Sequence, residues 1–519
     1  MTKKYEPNKD VIRLMKHKKT GLSSVIFGKT GIILFLICTQ IFVIIMLYKA
    51  VDKYFSHFLW AFTIAMIFYL LMIDMDSASK LTWLSLIMIF PVPFSLLLWY
   101  TRYNIGHRTA EKKLKKNIDC FKKITQNGII VHKEIEEEFS SSIIYQRIKS
   151  GELNFFTGTE VKYFSSGELF FLALVAEIKA AEKFIFMEYY IIEEGQMWGK
   201  ILKLLFDKVC QGVDVRIMYD GICNISLLSY DYNKRLSGLG IKGKTFSPIK
   251  PVLLARYNYR DHRKITVIDN NVAFTGGINI ADEYIGEKIR FGYWKDSAVM
   301  VKGEGVKKFT LMFLSMWNIT EKTPDWKEYY YSTKSVTTDG YLMPYYDHPL
   351  DINKTGQTIY TDLLLGAKKY VYIMSPYLVP DTQLELAIKL CAKRGVDVKI
   401  ILPGIADKKS ASLIGKTFYK SFIESGVKIY TFTPGFVHSK IFIVDDTKAV
   451  VGTINLDYRS LYHNFECAVY IYKSRCILDI KNDFLLTLKC SKKVCKSLKK
   501  QNPFSKIVSA ILKIFAPIM

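Results

Sequence analysis

A histidine and a lysine two residues apart occur at His438 and Lys440, followed by Asp445, Gly452, Asn455 and Glu466. On a β-strand, side chains two apart point to the same face. The run HSKIFIV would therefore hold an imidazole and an ammonium side by side. That pair suits attack on phosphorus, in which one group forms a bond or moves a proton and a fixed cation meets the developing charge. Asp445 lies an odd number of residues from both and would face the other way. The pair alone means little, because His17 also has a lysine two places on, in a basic tail with no strand pattern.

A second copy changes this. His262, Lys264, Asp269, Gly276 and Asn279 repeat the offsets of His438, Lys440, Asp445, Gly452 and Asn455. Five matched positions at one spacing are not chance. The six His, Lys and Asp residues are the candidate catalytic set, with both aspartates expected to fix the turn at the strand end.

The elements that must position these residues are also duplicated. Gly167–Ala181 and Trp198–Cys210 read as helices, each followed by a strand (183–192 and 213–220). The same order returns as 358–367 helical, 369–379 strand, 383–394 helix and 396–403 strand. GVDVRIMYDG (212–221) and GVDVKIILPG (395–404) are near copies. Alternating helices and strands predict a layered α/β fold, and two such halves would pair about a pseudo-twofold axis, bringing both His/Lys strands together.

Net charge is +25 over 519 residues, which points to an anionic partner. The nine cysteines are scattered without a CxxC pair, against a disulfide framework or a zinc site and in favour of a reducing compartment. Three apolar segments (31–48, 58–73 and 81–100) predict membrane insertion, with Pro91 and Pro93 breaking the third. Basic residues on both flanks predict a cytoplasmic catalytic part on a multi-pass protein of the cell membrane. Residues 108–123 read as a basic helix with Leu114, Ile118 and Phe121 on one side. From Lys489 the chain carries eight lysines and no acid, ending in an amphipathic helix expected on a membrane surface. The expected organisation is a basic tail (1–25), membrane segments (26–101), a linker region (102–155), two catalytic domains (156–335 and 336–485) and a basic C-terminal tail (486–519).

The two H-x-K-x4-D motifs resemble the phospholipase D superfamily, and the local wording resembles its bacterial cardiolipin synthases. The runs that carry the likeness are EYYIIEEGQMWGK, HRKITVIDNNVAFTGGINIADEYIGE with FGYWKD, SPYLVPD, and PGFVHSKIFIVDDTKAVVGTINLDYRSLYHNFE. The resemblance implies two phospholipase D-type α/β/α sandwich domains in pseudo-twofold arrangement behind N-terminal membrane helices. It also implies phosphatidyl transfer between two phosphatidylglycerol molecules through a phosphatidyl-histidine, with no cofactor and no metal. His262 would be the nucleophile and His438 the acid/base, although the residues themselves leave these roles interchangeable. Lys264, Lys440, Asn279 and Asn455 would hold phosphate oxygens, and Asp296 and Glu466 would orient the imidazoles.

Partners on this reading are phosphatidylglycerol and anionic membrane lipids, not nucleic acid, because a soluble polyanion needs no bilayer attachment. Hydrolysis on the same scaffold, transfer to another alcohol, and an inactive lipid-binding scaffold are the alternatives at this point.

Overall fold

The computed structural model describes residues 53–102, 108–126, 132–247, 259–321, 323–331, 336, 339–494, 508 and 511–518. The first sheet contains β1 (Thr159–Phe164), β2 (Phe184–Tyr189), β3 (Asp214–Asp220), β4 (Lys242–Phe246), β5 (Lys264–Ile268), β6 (Val272–Gly276) and β7 (Ala298–Gly303), in the order β1-β7-β6-β5-β2-β3-β4. The second contains β8 (Tyr341–Asp347), β9 (Tyr370–Met374), β10 (Asp397–Pro403), β11 (Lys428–Phe432), β12 (Ile441–Val444), β13 (Lys448–Gly452), β14 (Asn464–Tyr472) and β15 (Ser491–Lys493), in the order β8-β14-β13-β12-β9-β10-β11-β15. Strand for strand, the second order repeats the first and adds one edge strand. β2, β3 and β4 are parallel, as are β9, β10 and β11, and the remaining neighbours in both sheets are antiparallel.

Both faces of each sheet are covered, so the central strands are buried and largely apolar on both faces, with a few buried polar residues such as Glu188 and Lys264. Every residue of β2, β5 and β6 is buried. The period of two still sorts them. Ile185 and Met187 face the outer layer, which includes the helices Gly167–Ala180 and Gln196–Cys210, while Phe184 and Phe186 enter a core shared with the second sheet. Two helices occupy that shared layer. Phe313 of Val306–Trp317 stacks on Phe186 at 4.6 Å, and Phe484 of Cys476–Lys489 stacks on Tyr372 at 4.8 Å. Local signals set the helix starts: Ser166 and Asp381 cap their helices by accepting the N–H of Leu169 and Leu384. The second unit runs past the expected limit at 485, because β15 pairs with β11.

Ahead of the sheets, the helices Lys53–Met72, Ser77–Ile89 and Pro91–Arg102 pack around Leu70, Trp83, Ile87 and Leu98. Pro91 does break the third apolar segment. It keeps the preceding Phe90 out of the helical region (φ −138°, ψ 84°) and opens the next helix, where its missing N–H costs nothing. Among the described residues no helix is long and apolar enough to cross a membrane. The first apolar segment, 31–48, lies outside the described residues, as does the basic N-terminal tail.

The basic helix Arg108–Gln126 buries Leu114, Ile118 and Phe121, and Asn117 donates to the carbonyl of Ser315 at 3.0 Å. It is docked on the first domain's Val306–Trp317. The described end of the tail is also docked, which differs from the expected membrane-surface helix. Thr82 donates to the carbonyl of Ile514, Phe515 packs on the N-terminal helices, and His463 bonds the carbonyl of Pro517 at 2.9 Å. Residues 511–518 thus tie the N-terminal helices to the second domain.

Candidate active site

The spacing H-x-K-x4-D measures one short strand and its turn. Lys264 begins β5, and Asp269 follows its last residue; Lys440 precedes β12, and Asp445 follows that strand. Asp269 and Asn270 have φ of 53° and 55°, and Asp445 and Asp446 have 51° and 60°, the pattern of a two-residue hairpin turn. Asp and Asn tolerate this left-handed region better than most residues. The Asp269 carboxylate accepts the N–H groups of Glu182, Lys183 and Phe184 at 2.7–2.8 Å. Asp445 does the same for Lys368, Lys369 and Tyr370 at 2.6–2.8 Å.

Both aspartates therefore drop out of the candidate catalytic set: they pin the neighbouring strand at the end away from the histidines. Replacing either with alanine should cost ~2–4 kcal/mol of stability while leaving turnover per folded molecule nearly unchanged. Denaturant unfolding paired with active-site titration checks this.

The histidines do not lie on continuous strands, which corrects the reading of HSKIFIV. His262 sits between the short strand Arg260–Asp261 and β5, and His438 between Gly435–Val437 and β12. The reason is an exchange of edges. Arg260–Asp261 pairs with Asn464–Phe465 of the second half, and Gly435–Val437 pairs with Tyr293–Lys295 of the first. The N–H of His262 accordingly bonds the carbonyl of Phe465 at 2.9 Å, and that of His438 the carbonyl of Lys295 at 2.7 Å. Each lysine folds back on its own histidine. Lys264 Nζ donates to the His262 carbonyl at 2.6 Å, and Lys440 Nζ donates to that of His438.

This exchange delivers the carboxylates crosswise. His262 Nδ1 lies 2.9 Å from Glu466 Oε2, and His438 Nδ1 lies 2.7 Å from Asp296 Oδ2. A carboxylate at Nδ1 orients the ring and leaves Nε2 for the substrate. Glu466 is held by Thr453 and by Asn464 at 3.0 Å, and Asp296 by the N–H of Ser297 at 2.7 Å. The repeated glycines serve the same packing. A Cβ on Gly276 would collide with Ala298, and one on Gly452 with Ala468.

Charge in the site is out of balance. Burial, then Lys264 and Lys440, push His262 well below its usual value; burial and Lys440 push His438 down to about 4. Burial also lowers Lys264 to about 8 and Lys440 to about 7. The two carboxyls differ. Burial raises Glu466 to about 8, whereas at Asp296 burial is outweighed by His438 and Lys440, which hold it below the ordinary carboxylate range. Cations crowded into a dry site lose protons unless an anion joins them. A phosphodiester is such an anion.

The asparagines are placed unequally. Asn279 accepts from Ile191 N–H at 3.1 Å and donates to Tyr284 Oη at 2.7 Å, which leaves one amide hydrogen for a ligand. Asn455 is buried with Oδ1 unbonded. Aromatic rings not marked by any motif line the site. Tyr190 meets the His262 ring edge-on at 4.9 Å, while Tyr284, Trp294 and Phe436 surround His438 at 5.6–5.8 Å. Each lies inside a run quoted above: Tyr190 in EYYII, Tyr284 in ADEYIGE, Trp294 in FGYWKD and Phe436 in PGFVHSK.

A family model described as "Cardiolipin synthase, PLD-like domain" matches residues 174–317 and 360–486. Among curated proteins, the chain is 32% identical over 470 residues to a cardiolipin synthase of Alkalihalophilus pseudofirmus, covering 88% of this chain and 93% of that protein. It is 32% identical over 454 residues to cardiolipin synthase 2 of Bacillus cereus, covering 85% and 87%. An uncharacterized protein of Streptococcus mutans is 49% identical over 460 residues, covering 88% of this chain and all of that one. Among solved structures, a phosphatidylserine synthase of Haemophilus influenzae superposes with a TM-score of 0.55 at 17% identity, covering 69% of this chain and 93% of that one. The last likeness is one of fold.

Proposed function

Because this chain belongs to the cardiolipin synthase family of phospholipase D-like proteins, we propose that it joins two phosphatidylglycerol molecules into cardiolipin and glycerol, through a phosphatidyl-histidine. The observation that carries the site assignment is the crosswise pairing of His262 with Glu466 and His438 with Asp296. Two oriented imidazoles are the minimum for a two-step transfer with inversion of roles.

In the first step, His262 Nε2 attacks phosphorus and the bond to the headgroup oxygen breaks. His438 supplies the proton that makes the departing group neutral glycerol. In the second step, His438 takes the proton from the primary hydroxyl of another phosphatidylglycerol. That oxygen attacks phosphorus, the N–P bond breaks, and His262 is restored. Each lysine spends one ammonium hydrogen on a histidine carbonyl and has two left for the non-bridging phosphate oxygens. The incoming phosphodiester raises the proton affinity of the imidazoles and ammoniums, so that one histidine can be protonated while the other stays neutral.

Attachment to a bilayer is part of this reading. Phe58, Trp60, Ile64, Phe68 and Leu71 are all at least half exposed on the helix Lys53–Met72. Lipid would cover a patch of that kind, which water does not favour. Catalytic domains facing the cytoplasm accord with the basic flanks of these segments and with the free cysteines.

Labelled phosphatidylglycerol in mixed micelles, without added metal, tests the proposal. Cardiolipin and free glycerol in equal amounts are the expected products. Phosphatidic acid alone would make the chain a hydrolase instead.

A further inference from the structure

The molecule has a second polar cavity away from the histidines, of about 220 Å³, where the helix Arg108–Gln126 meets the segment 145–153 and the loop 348–355. At ~30 Å³ per molecule of liquid water it has room for about seven waters, or for one phosphate group with a small substituent. Its wall holds a buried ammonium without an ion pair and a guanidinium with two N–H positions unused. Lys308 is 2% exposed; it donates to the carbonyl of Glu152 at 3.4 Å and lies 5.2 Å from the centre of the Phe121 ring, and among the described residues no carboxylate forms an ion pair with it. Arg147 uses Nη2 on Glu152 and Thr355, at 2.7 and 2.6 Å, while its buried Nε and Nη1 have no hydrogen-bond partner. The buried hydroxyl of Tyr345 is also unbonded, and Lys115 stands at the solvent side.

The carboxylates lining the cavity pair with Arg147 or face water, and none pairs with Lys308. Glu152 lies 2.7 Å and Asp351 3.9 Å from Arg147 Nη2, Asp351 also accepts from Asn353 and from Thr355, and Asp119 is exposed. What remains is a surplus of buried donors around an unpaired ammonium. Burying an uncompensated charge is costly, and a ligand that brings several acceptors and negative charge removes that cost. Burial already lowers Lys308 to about 8, in keeping with an ammonium that lacks its counter-charge.

We propose that this cavity is an anion site that binds a phosphate group through Lys308 and Arg147, separate from the histidine pair. Inorganic phosphate and the headgroup of a phospholipid share that chemistry. The site lies where the helix Arg108–Gln126 and Lys308 of the first domain meet the segment 147–153 and residues 345–355 of the second domain, so a bound anion would brace that junction.

Hydrogen exchange read by mass spectrometry on the full chain in neutral-detergent micelles tests the proposal and locates the ligand. Inorganic phosphate at millimolar concentration should slow exchange in segments 145–153 and 348–355 by several-fold if the source is free phosphate. Protection that appears only when phosphatidylglycerol is added to the micelle would identify a lipid headgroup. Either protection should vanish in Lys308→Met. It should weaken several-fold in Lys115→Ala, a change at an exposed position that leaves the buried wall intact. No protection by either ligand, or equal protection in Lys308→Met, would overturn the assignment.

Discussion

His262→Ala and His438→Ala should each lower cardiolipin formation by at least ~10³-fold, because each removes a group that must act in both half-reactions. The variants part company on an activated substrate. A phosphatidyl ester of p-nitrophenol has a leaving group that needs no protonation, so it relieves the first step of its acid. With His438→Ala, such a substrate should give a burst of nitrophenol equal to the enzyme present, then stall with phosphatidyl bound to His262. With His262→Ala it should give no burst. The reverse pattern would exchange the roles of nucleophile and acid/base while keeping the two-step scheme. A burst from both variants would end the histidine assignment altogether. The carboxylate that orients each imidazole comes from the other half. Separately produced halves should therefore be inactive alone.

Much of this site is legible in the sequence, and the limits of that legibility have physical causes. The duplicated layered α/β architecture follows from the repeated pattern around GVDVRIMYDG and GVDVKIILPG, because apolar strands alternating with helices pack in layers. The turn role of Asp269 and Asp445 followed from an odd offset, since period two allows only one face to be catalytic. The exchange of edges was not legible. Arg260–Asp261 and Gly435–Val437 are two and three residues long, too short to show any period, and their partners lie in the opposite half of the chain. Asp296 and Glu466 could be named as orienting groups but not assigned to a particular ring. The docking of residues 511–518 was hidden for a related reason. An amphipathic helix shows that one face seeks cover, and Phe515 finds it on other helices of the same chain. Sequence periodicity does not distinguish that from lipid.

Asp296→Asn and Glu466→Gln make the same chemical change in the two twin sites, and their effects on stability should have opposite signs. Asp296 has a folded pKa held below its ordinary value of 3.8. Its contribution to stability is present above that value and lost as pH falls through the folded pKa. Asparagine discards the contribution at neutral pH, so Asp296→Asn should unfold more readily there. Glu466 is raised from 4.5 to about 8 by burial. Between those values the folded state holds a proton that the unfolded state has released, so wild-type stability falls as pH rises from about 4.5 to about 8. Glutamine has no charge to bury. Glu466→Gln should escape that fall and gain up to a few kcal/mol over wild type by pH 8. Both variants should still lose roughly 10²–10⁴ in kcat, as a histidine does when an amide replaces its orienting carboxylate. Neither amide can turn anionic to balance a ring that becomes positive, whether by protonation at His438 or by phosphatidylation at His262. Thermal unfolding from pH 5 to 8, run beside the transfer assay, reads both quantities. A Glu466→Gln protein less stable than wild type at pH 8 would mean that this carboxyl is ionised in the folded site, and that the two halves are electrostatic twins after all.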